Sequence, residues 1–375
     1  MKFTFSWLLD HLESEASIDE ISHTLSMIGL EVESIEDRAK DIASFVVGHV
    51  TDVRQHPNAD RLQLCIVDVG GGESHEVVCG APNARAGMKG VFARQGTWIP
   101  GTGITLKKSK IRGVVSAGML CSEAELGLSD EHDGIIELAD DAEIGSPAAK
   151  LLGLSDPVIE IGLTPNRPDC AGVRGIARDL AAAGLGSLKP LDLSPVEGVF
   201  ESPVQWRRDL AGEAADACPM VVGRTFRGIT NGASPQWMQD RLKAIGLRPI
   251  SALVDITNYV TFDLARPLHV CDVDALVGDL TMRLARAGEL IGALDGKDYV
   301  LDATMSVIAD DGGVQGIGGV MGGSGSGCGD DTTTAFLEVA LFDPIRTAAT
   351  GRKLAIASDA RYRFERGVDP TSALW

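Results

Sequence analysis

Apolar residues along the first 38 positions recur at helical spacing. Ile18, Ile21, Leu25 and Ile28 fall on one face of a helix that Ser17-Ile18-Asp19-Glu20 opens as a capping box. Ser and Glu there satisfy each other's orphan amides, and Gly29 is placed to end the helix. From Phe45 to about Leu138 the pattern changes to short alternating runs between glycine-rich turns. Strands are predicted at 46–50, 62–69, 76–79, 90–93 and 135–138. Five short strands in about 95 residues with almost no helical period predict a small closed barrel. Helical spacing returns at 174–184 through Arg174, Ile176, Ala177, Leu180 and Ala183. The stretch from Gly184 to Glu201, rich in Gly, Pro and Ser, reads as a linker. Beyond about 205 the pattern is mixed, with helices at 235–244 and 251–264 and a glycine-laden β region over 280–345. No repeat stands out at solenoid periods.

Length and composition narrow this picture. At 375 residues the chain holds two or three domains. Its 44% hydrophobic and 23% charged residues are those of a globular protein and exclude a disordered or fibrous chain. The 44 glycines predict many tight turns. With 34 Lys and Arg against 53 Asp and Glu, the net charge is −19, so bulk charge does not favour a polyanion. Nucleic acid would have to be met by a local basic patch. The seven cysteines are odd in number and form no CxxC pair, which points to reduced, buried thiols rather than a zinc site or disulfide framework. No metal site is expected. No apolar run approaches the roughly 18 residues that span a membrane, and acidic residues come too early for a signal peptide. A cytoplasmic chain with no membrane contact is expected.

Several segments could carry chemistry. Lys107, Lys108, Lys110 and Arg112 put four cations into six residues, either an ordinary solvated face or the rim of an oligonucleotide-binding barrel. His269 follows Arg266-Pro267-Leu268, where proline restricts how the imidazole is presented; a lone histidine is more often structural. Glu338 sits in the apolar strand 335–342. Burying it unpaired is costly, so it either faces solvent at an edge or waits in a pocket for a polar ligand. The glycine-rich turn at 322–329 offers backbone amides but lacks the lysine of a phosphate-binding loop. Asn166-Arg167-Pro168-Asp169 is ordinary turn chemistry ahead of a helix. No Ser/His/Asp or Cys/His arrangement is evident that would support covalent catalysis.

Three segments in order, Gln55–Leu62, Cys79–Asn83 and Lys110–Ser122 continuing to Leu128, resemble the tRNA-binding barrel shared by synthetase subunits and free-standing tRNA-binding proteins. Pro165–Cys170, Asp255–Val260, Pro267–His269, Gly318–Gly323, Phe336–Glu338 and Arg363–Pro370 extend a resemblance to the β subunit of bacterial phenylalanyl-tRNA synthetase across the whole chain. The resemblance implies an α+β multidomain architecture. A small α+β N-terminal domain (1–38 plus 150–200) carries an inserted OB-fold β-barrel (39–149), and a mixed α/β editing domain of B3/B4 type follows (206–375). It further implies tRNA(Phe) as ligand and hydrolysis of mischarged tyrosyl-tRNA(Phe).

By resemblance, Glu338 reads the tyrosine hydroxyl, and Thr257 and Asn258 surround the ester and its water. His269 and Arg248 belong to the same pocket, Gly322 and Gly323 form its wall, and Ser358 and Ala360 shape it. Lys107, Lys108, Lys110 and Arg112 would contact the tRNA. Ser358 stands where the family often has Thr, and Val270-Cys271 where it usually shows Ala-Phe. These departures leave open an alternative, a noncatalytic tRNA-binding and assembly chain with a decayed pocket. A free-standing tRNA-binding protein would require residues 206–375 to be unrelated to the family. No cofactor is expected at this chain's own sites. Mg²⁺ and ATP are implied for the complete family enzyme, an α₂β₂ heterotetramer with an α subunit. Family members continue beyond the last signature, so the chain reads as an N-terminal half.

Overall fold

The computed structural model describes residues 1–129 and 131–374. They form two compact units, one built from residues 1–34 and 158 onward, the other from 35–157.

The second unit is the barrel. Its sheet runs in the order Gly118–Leu120, Lys89–Arg94, Phe45–Gln55, Gln63–Asp68, Ser74–Cys79. The two ends of that order approach each other: Ala117 N–H donates to Glu76 O at 2.9 Å and Val78 N–H to the Ser116 hydroxyl at 3.1 Å, nearly closing the sheet. Gly48 lies where Phe45–Gln55 crosses the barrel interior; a Cβ there would stand 2.7 Å from Val67 Cγ1 and 2.9 Å from Phe92 Cβ. The predicted strand at 135–138 is reduced to Glu137–Leu138 on the Lys89–Arg94 strand. Gly118–Leu120, hidden within a motif that gives no alternation, supplies the fifth main strand instead.

In the first unit, the capping box forms as read: Glu20 N–H donates to Ser17 Oγ at 3.3 Å, and Ser17 N–H donates to the Glu20 carboxylate at 2.8 Å. The helix covers Ile18–Met27, and Gly29 follows with φ +86°. Its apolar face packs with Trp7, Leu8, Ile159, Ile176 and Leu180 in one core, and Ile245 and Phe262 belong to that core as well. The helices Gln236–Ala244 and Ala252–Leu264 therefore share a core with the N-terminal residues. Asp263 fixes this junction, accepting from Trp7 Nε1 at 2.7 Å and meeting His11 Nε2 at 2.5 Å.

The remainder of the first unit holds the sheets around the cavity described next. The Thr334–Leu341 strand is central, paired antiparallel with Met220–Arg227 on one side and His269–Asp272 on the other. A second sheet runs Trp206–Asp209, Leu280–Leu284, Ser306–Ala309, Val314–Ile317, Met321–Gly322. Phe336 and Ala340 of the first sheet, Phe342 just past its central strand, and Leu280, Met282 and Ile308 of the second form one core.

Candidate active site and basic hairpin

Alternation along Thr334–Leu341 decides where Glu338 points. Phe336, Glu338 and Ala340 are buried while Leu337, Val339 and Leu341 are less so, the two faces of a pleated strand. Because the strand is central, the solvent-edge alternative for Glu338 does not hold. The side chain is only 5% exposed. Its cross-strand neighbours are Gly223 and His269. Gly223 is required by close approach, since a Cβ there would lie 2.3 Å from Phe336 Cζ.

Glu338 and His269 line one cavity of about 80 Å³ together with Cys271, Ile308, Gly322 and Ala360. Its walls are otherwise mainly apolar. The Glu338 carboxylate has one hydrogen bond among the described residues, from Trp206 Nε1 to Oε2 at 3.1 Å. Burial raises its pKa above the ordinary carboxylate range, against the opposing pull of His269 and the Trp206 hydrogen bond. Burial lowers the pKa of His269, with Glu338 opposing, so the imidazole is neutral near pH 7. Its Nε2 is enclosed with no hydrogen-bond partner among the described residues. Such an orphaned polar atom beside a raised carboxyl marks a pocket that a polar ligand would complete. The Cys271 thiol is pushed up to about 12, chiefly by burial and then by Glu338, which leaves it without thiolate character at neutral pH.

Gly322 carries the opposite wall. A Cβ at this position would stand 2.5 Å from His269 Cε1, so only glycine lets the backbone approach the ring. Gly323 is not among the lining residues, but its N–H donates at 2.7 Å to the carbonyl of Gln315, which is. Ser358 caps the Asp359–Phe364 helix, accepting from Arg361 N–H at 3.0 Å. Its hydroxyl donates to Val320 O at 2.5 Å and so ties that helix to the glycine segment. Ala360, in the first turn of the helix, reaches the cavity itself.

Thr257, Asn258 and Arg248 are not among the residues lining the cavity. Thr257 and Asn258 lie on the Ala252–Leu264 helix, and the Thr257 hydroxyl donates back to Val254 O at 2.8 Å. Arg248 is exposed on the connection ahead of that helix. In the same motif Asp255 is structural: fully buried, it accepts from Ile250 N–H at 2.8 Å and the Ser234 hydroxyl at 2.5 Å. Asp169 and Asp179 likewise serve the fold. Arg167 and Arg178 bridge both carboxylates around Cys170, the turn-and-helix arrangement that Asn166-Arg167-Pro168-Asp169 predicts. Trp206 was not legible as a site residue, because only the fold carries it to Glu338.

In the barrel unit the four cations occupy a hairpin of Ser109–Ile111 and Val114–Ser116 and the residues just before it. Arg112 and Gly113 turn it, with φ +46° and +94°, the two positive values of a type I′ turn. The loop after the first long strand holds the turn: Asn58 Nδ2 donates to Arg112 O at 3.0 Å and His56 Nε2 lies 3.1 Å from Ile111 O. Lys107, Lys108, Lys110 and Arg112 are exposed, and none forms an ion pair among the described residues.

A barrel with an exposed basic hairpin and a mixed α/β unit with a carboxylate-bearing cavity define a multidomain protein with a candidate polyanion-binding face and a candidate ligand pocket. Residues 45–147 match the family described as putative tRNA binding domain, and residues 217–374 match the B3/4 domain family. The chain is 57% identical over 370 residues to the phenylalanine–tRNA ligase beta subunit of Paramagnetospirillum magneticum, covering 99% of this chain and 46% of that protein. With the beta subunit of Rhodospirillum rubrum it shares 57% over 375 residues, 100% of this chain and 47% of the relative. An N-terminal fragment of the phenylalanyl-tRNA synthetase beta subunit from Pyrococcus horikoshii aligns at 16% identity and TM-score 0.30, over 52% of this chain and 61% of that one. The chain belongs to the phenylalanine–tRNA ligase beta-subunit family and spans slightly under half the length of the curated relatives it matches. Among the described residues no helix is long and apolar enough to cross a membrane.

Proposed function

We propose that the cavity at Glu338 hydrolyses the ester of tyrosine mischarged onto tRNA(Phe), within a subunit that binds tRNA through its barrel. The observation that carries this reading is a buried carboxylate facing His269 in an otherwise mainly apolar cavity. Tyrosine differs from phenylalanine by one hydroxyl, and an apolar synthetic pocket rejects an added hydroxyl only weakly. A site that accepts a hydrogen bond from that hydroxyl solves the problem by preferring the wrong product. With phenylalanine bound, Glu338 would be desolvated without its partner. Gly322 lets the backbone come up against the His269 ring, and Ala360 adds only a methyl group to the lining. Polar groups hold the attacking water, Thr257 and Asn258 being assigned to it by family resemblance, which also puts His269 near the tRNA 3′ end, Arg248 in the same pocket, Gly323 in its glycine wall and Ser358 among the small residues that shape it. The complete enzyme, paired with an α subunit as α₂β₂, would attach phenylalanine using ATP and Mg²⁺.

A second reading, a noncatalytic tRNA-binding and assembly chain, draws on one observation: Thr257, Asn258 and Arg248 lie outside the cavity lining. Deacylation of tyrosyl-tRNA(Phe) and phenylalanyl-tRNA(Phe) by the chain and by Glu338→Ala separates the two. Editing predicts release of tyrosine with selectivity on the order of 10⁴ over phenylalanine, lost in the variant. Equal background rates for both proteins would sink it.

A further inference from the structure

Trp206 opens the Trp206–Asp209 strand, which pairs in parallel with Leu280–Leu284. The backbone just ahead of it is pinned twice: Leu280 N–H donates to Gln205 O at 2.9 Å, and Gln205 N–H donates to Asp279 Oδ1 at 3.0 Å. The indole packs against the core that contains Phe336 and Ala340, the neighbours of Glu338 on its own face. From this anchored position Nε1 reaches Oε2 of Glu338 at 3.1 Å.

An indole N–H donates and never accepts. It therefore distinguishes the two carboxylate oxygens: Oε2 is occupied as an acceptor, and Oε1 is the oxygen left for a ligand. Of the other groups around the carboxylate, His269 on the flanking strand opposes the burial shift of Glu338 electrostatically but donates it no hydrogen bond, and burial lowers the imidazole's own pKa. Cys271 on that strand and Cys218 ahead of the other are both pushed up to about 12, mainly by burial. The Arg208 guanidinium, which acts on Cys218, is engaged with the carbonyls of Cys218 and Pro219 at 3.0 and 2.8 Å. The Trp206 N–H is thus the one directed donor, among the described residues, that favours an ionised Glu338.

We propose that Trp206 is a positioning residue for specificity, fixing Oε2 of Glu338 so that Oε1 alone accepts the hydroxyl of the bound aminoacyl group. The inference rests on the editing reading above. Without the N–H, the carboxyl would ionise at higher pH and could rotate toward His269 Nε2, presenting either oxygen.

Trp206→Phe removes the donor and keeps an aromatic body; Trp206→benzothienylalanine keeps the bicyclic shape with sulfur in place of N–H, should the smaller ring loosen the fold. Both are expected to lower the tyrosyl-over-phenylalanyl hydrolysis ratio by about 10- to 100-fold, the worth of a hydrogen bond to a charged group. The acidic limb of the pH–rate profile should move to higher pH. Infrared difference titration of the Glu338 carboxyl in the free protein, assigned with Glu338→Gln, should move the same way. An unchanged ratio and unchanged carboxyl titration in the benzothienylalanine protein would overturn the proposal, as would equal losses toward both esters at unchanged pH dependence. A wild-type chain with no hydrolysis would instead defeat the editing reading, and the infrared titration would still decide whether Trp206 governs Glu338.

Discussion

Glu338 and His269 are direct cross-strand partners in an antiparallel register, so one buried face presents a carboxylate and an imidazole side by side. Neither is compensated as a core pair would be. The carboxyl has a single hydrogen bond, and the imidazole Nε2 has none among the described residues. Stability has been given up locally at a place where a ligand would restore it.

That cost has a predictable pH dependence. Burial raises the Glu338 pKa above its ordinary value of 4.5, so the folded state binds its proton more tightly than the unfolded state does. Stability is then highest below the unfolded value and declines as pH rises through the folded one. Glu338→Gln cannot titrate and its amide oxygen can still accept from Trp206. Unfolding free energies from urea denaturation should match the wild type near pH 4 and exceed it at pH 8, by on the order of 1 kcal/mol. A variant no more stable at pH 8 than at pH 4, relative to wild type, would contradict this account.

Gly322→Ala tests the wall. Its Cβ would meet His269 Cε1 at 2.5 Å and Leu294 Cδ1 at 2.9 Å, so both must shift. Overpacking of this kind costs about 1–3 kcal/mol. Tyrosyl-tRNA(Phe) hydrolysis should fall at least about tenfold while the far-ultraviolet circular dichroism stays that of the wild type.

Asp263→Ala should be among the most damaging single changes in the first unit. It strands the Trp7 indole N–H and removes the carboxylate that meets His11. Losing one partner of a buried polar group costs roughly 1–3 kcal/mol for each group left unpaired. A drop in the unfolding midpoint equivalent to about 3 kcal/mol is expected, measured by urea denaturation with tryptophan fluorescence.

The basic hairpin gives a salt-dependent prediction. Changing Lys107, Lys108, Lys110 or Arg112 to Glu should weaken tRNA binding and flatten the plot of log affinity against log salt. The slope should fall by about 0.7–0.9 for each phosphate that is no longer neutralised. Asn58→Ala, which removes the side chain that holds the Arg112 carbonyl, should weaken binding less and leave that slope nearly unchanged. Filter binding across a salt series reads both. Unchanged affinity in all four charge reversals would return the run to an ordinary solvated face.

Much of this was legible along the chain. The Ser17 and Glu20 cap, the helices over 174–184, 235–244 and 251–264 and four of the barrel strands follow from periodicity and turn chemistry, because those signals act within a few residues. The strand Gly118–Leu120 was missed since three residues opening on a glycine are too few to show alternation. For Glu338 the sequence offered an apolar strand with one carboxylate and could not choose between edge and pocket. Its place depended on which strands would flank it.

The sequence by itself determined the family, the succession of barrel and mixed α/β segments, the capped helix and the location of the unpaired cations, since these rest on local pattern and on long matched motifs. Only the tertiary structure decided that Thr334–Leu341 is central, that His269 and Gly223 flank Glu338, and that Trp206, 132 residues away along the chain, supplies its hydrogen bond. It also placed Thr257, Asn258 and Arg248 off the cavity wall and set the 236–264 helices in the N-terminal core. Strand register and long-range burial set these relationships, and neither leaves a trace in the spacing of neighbouring residues.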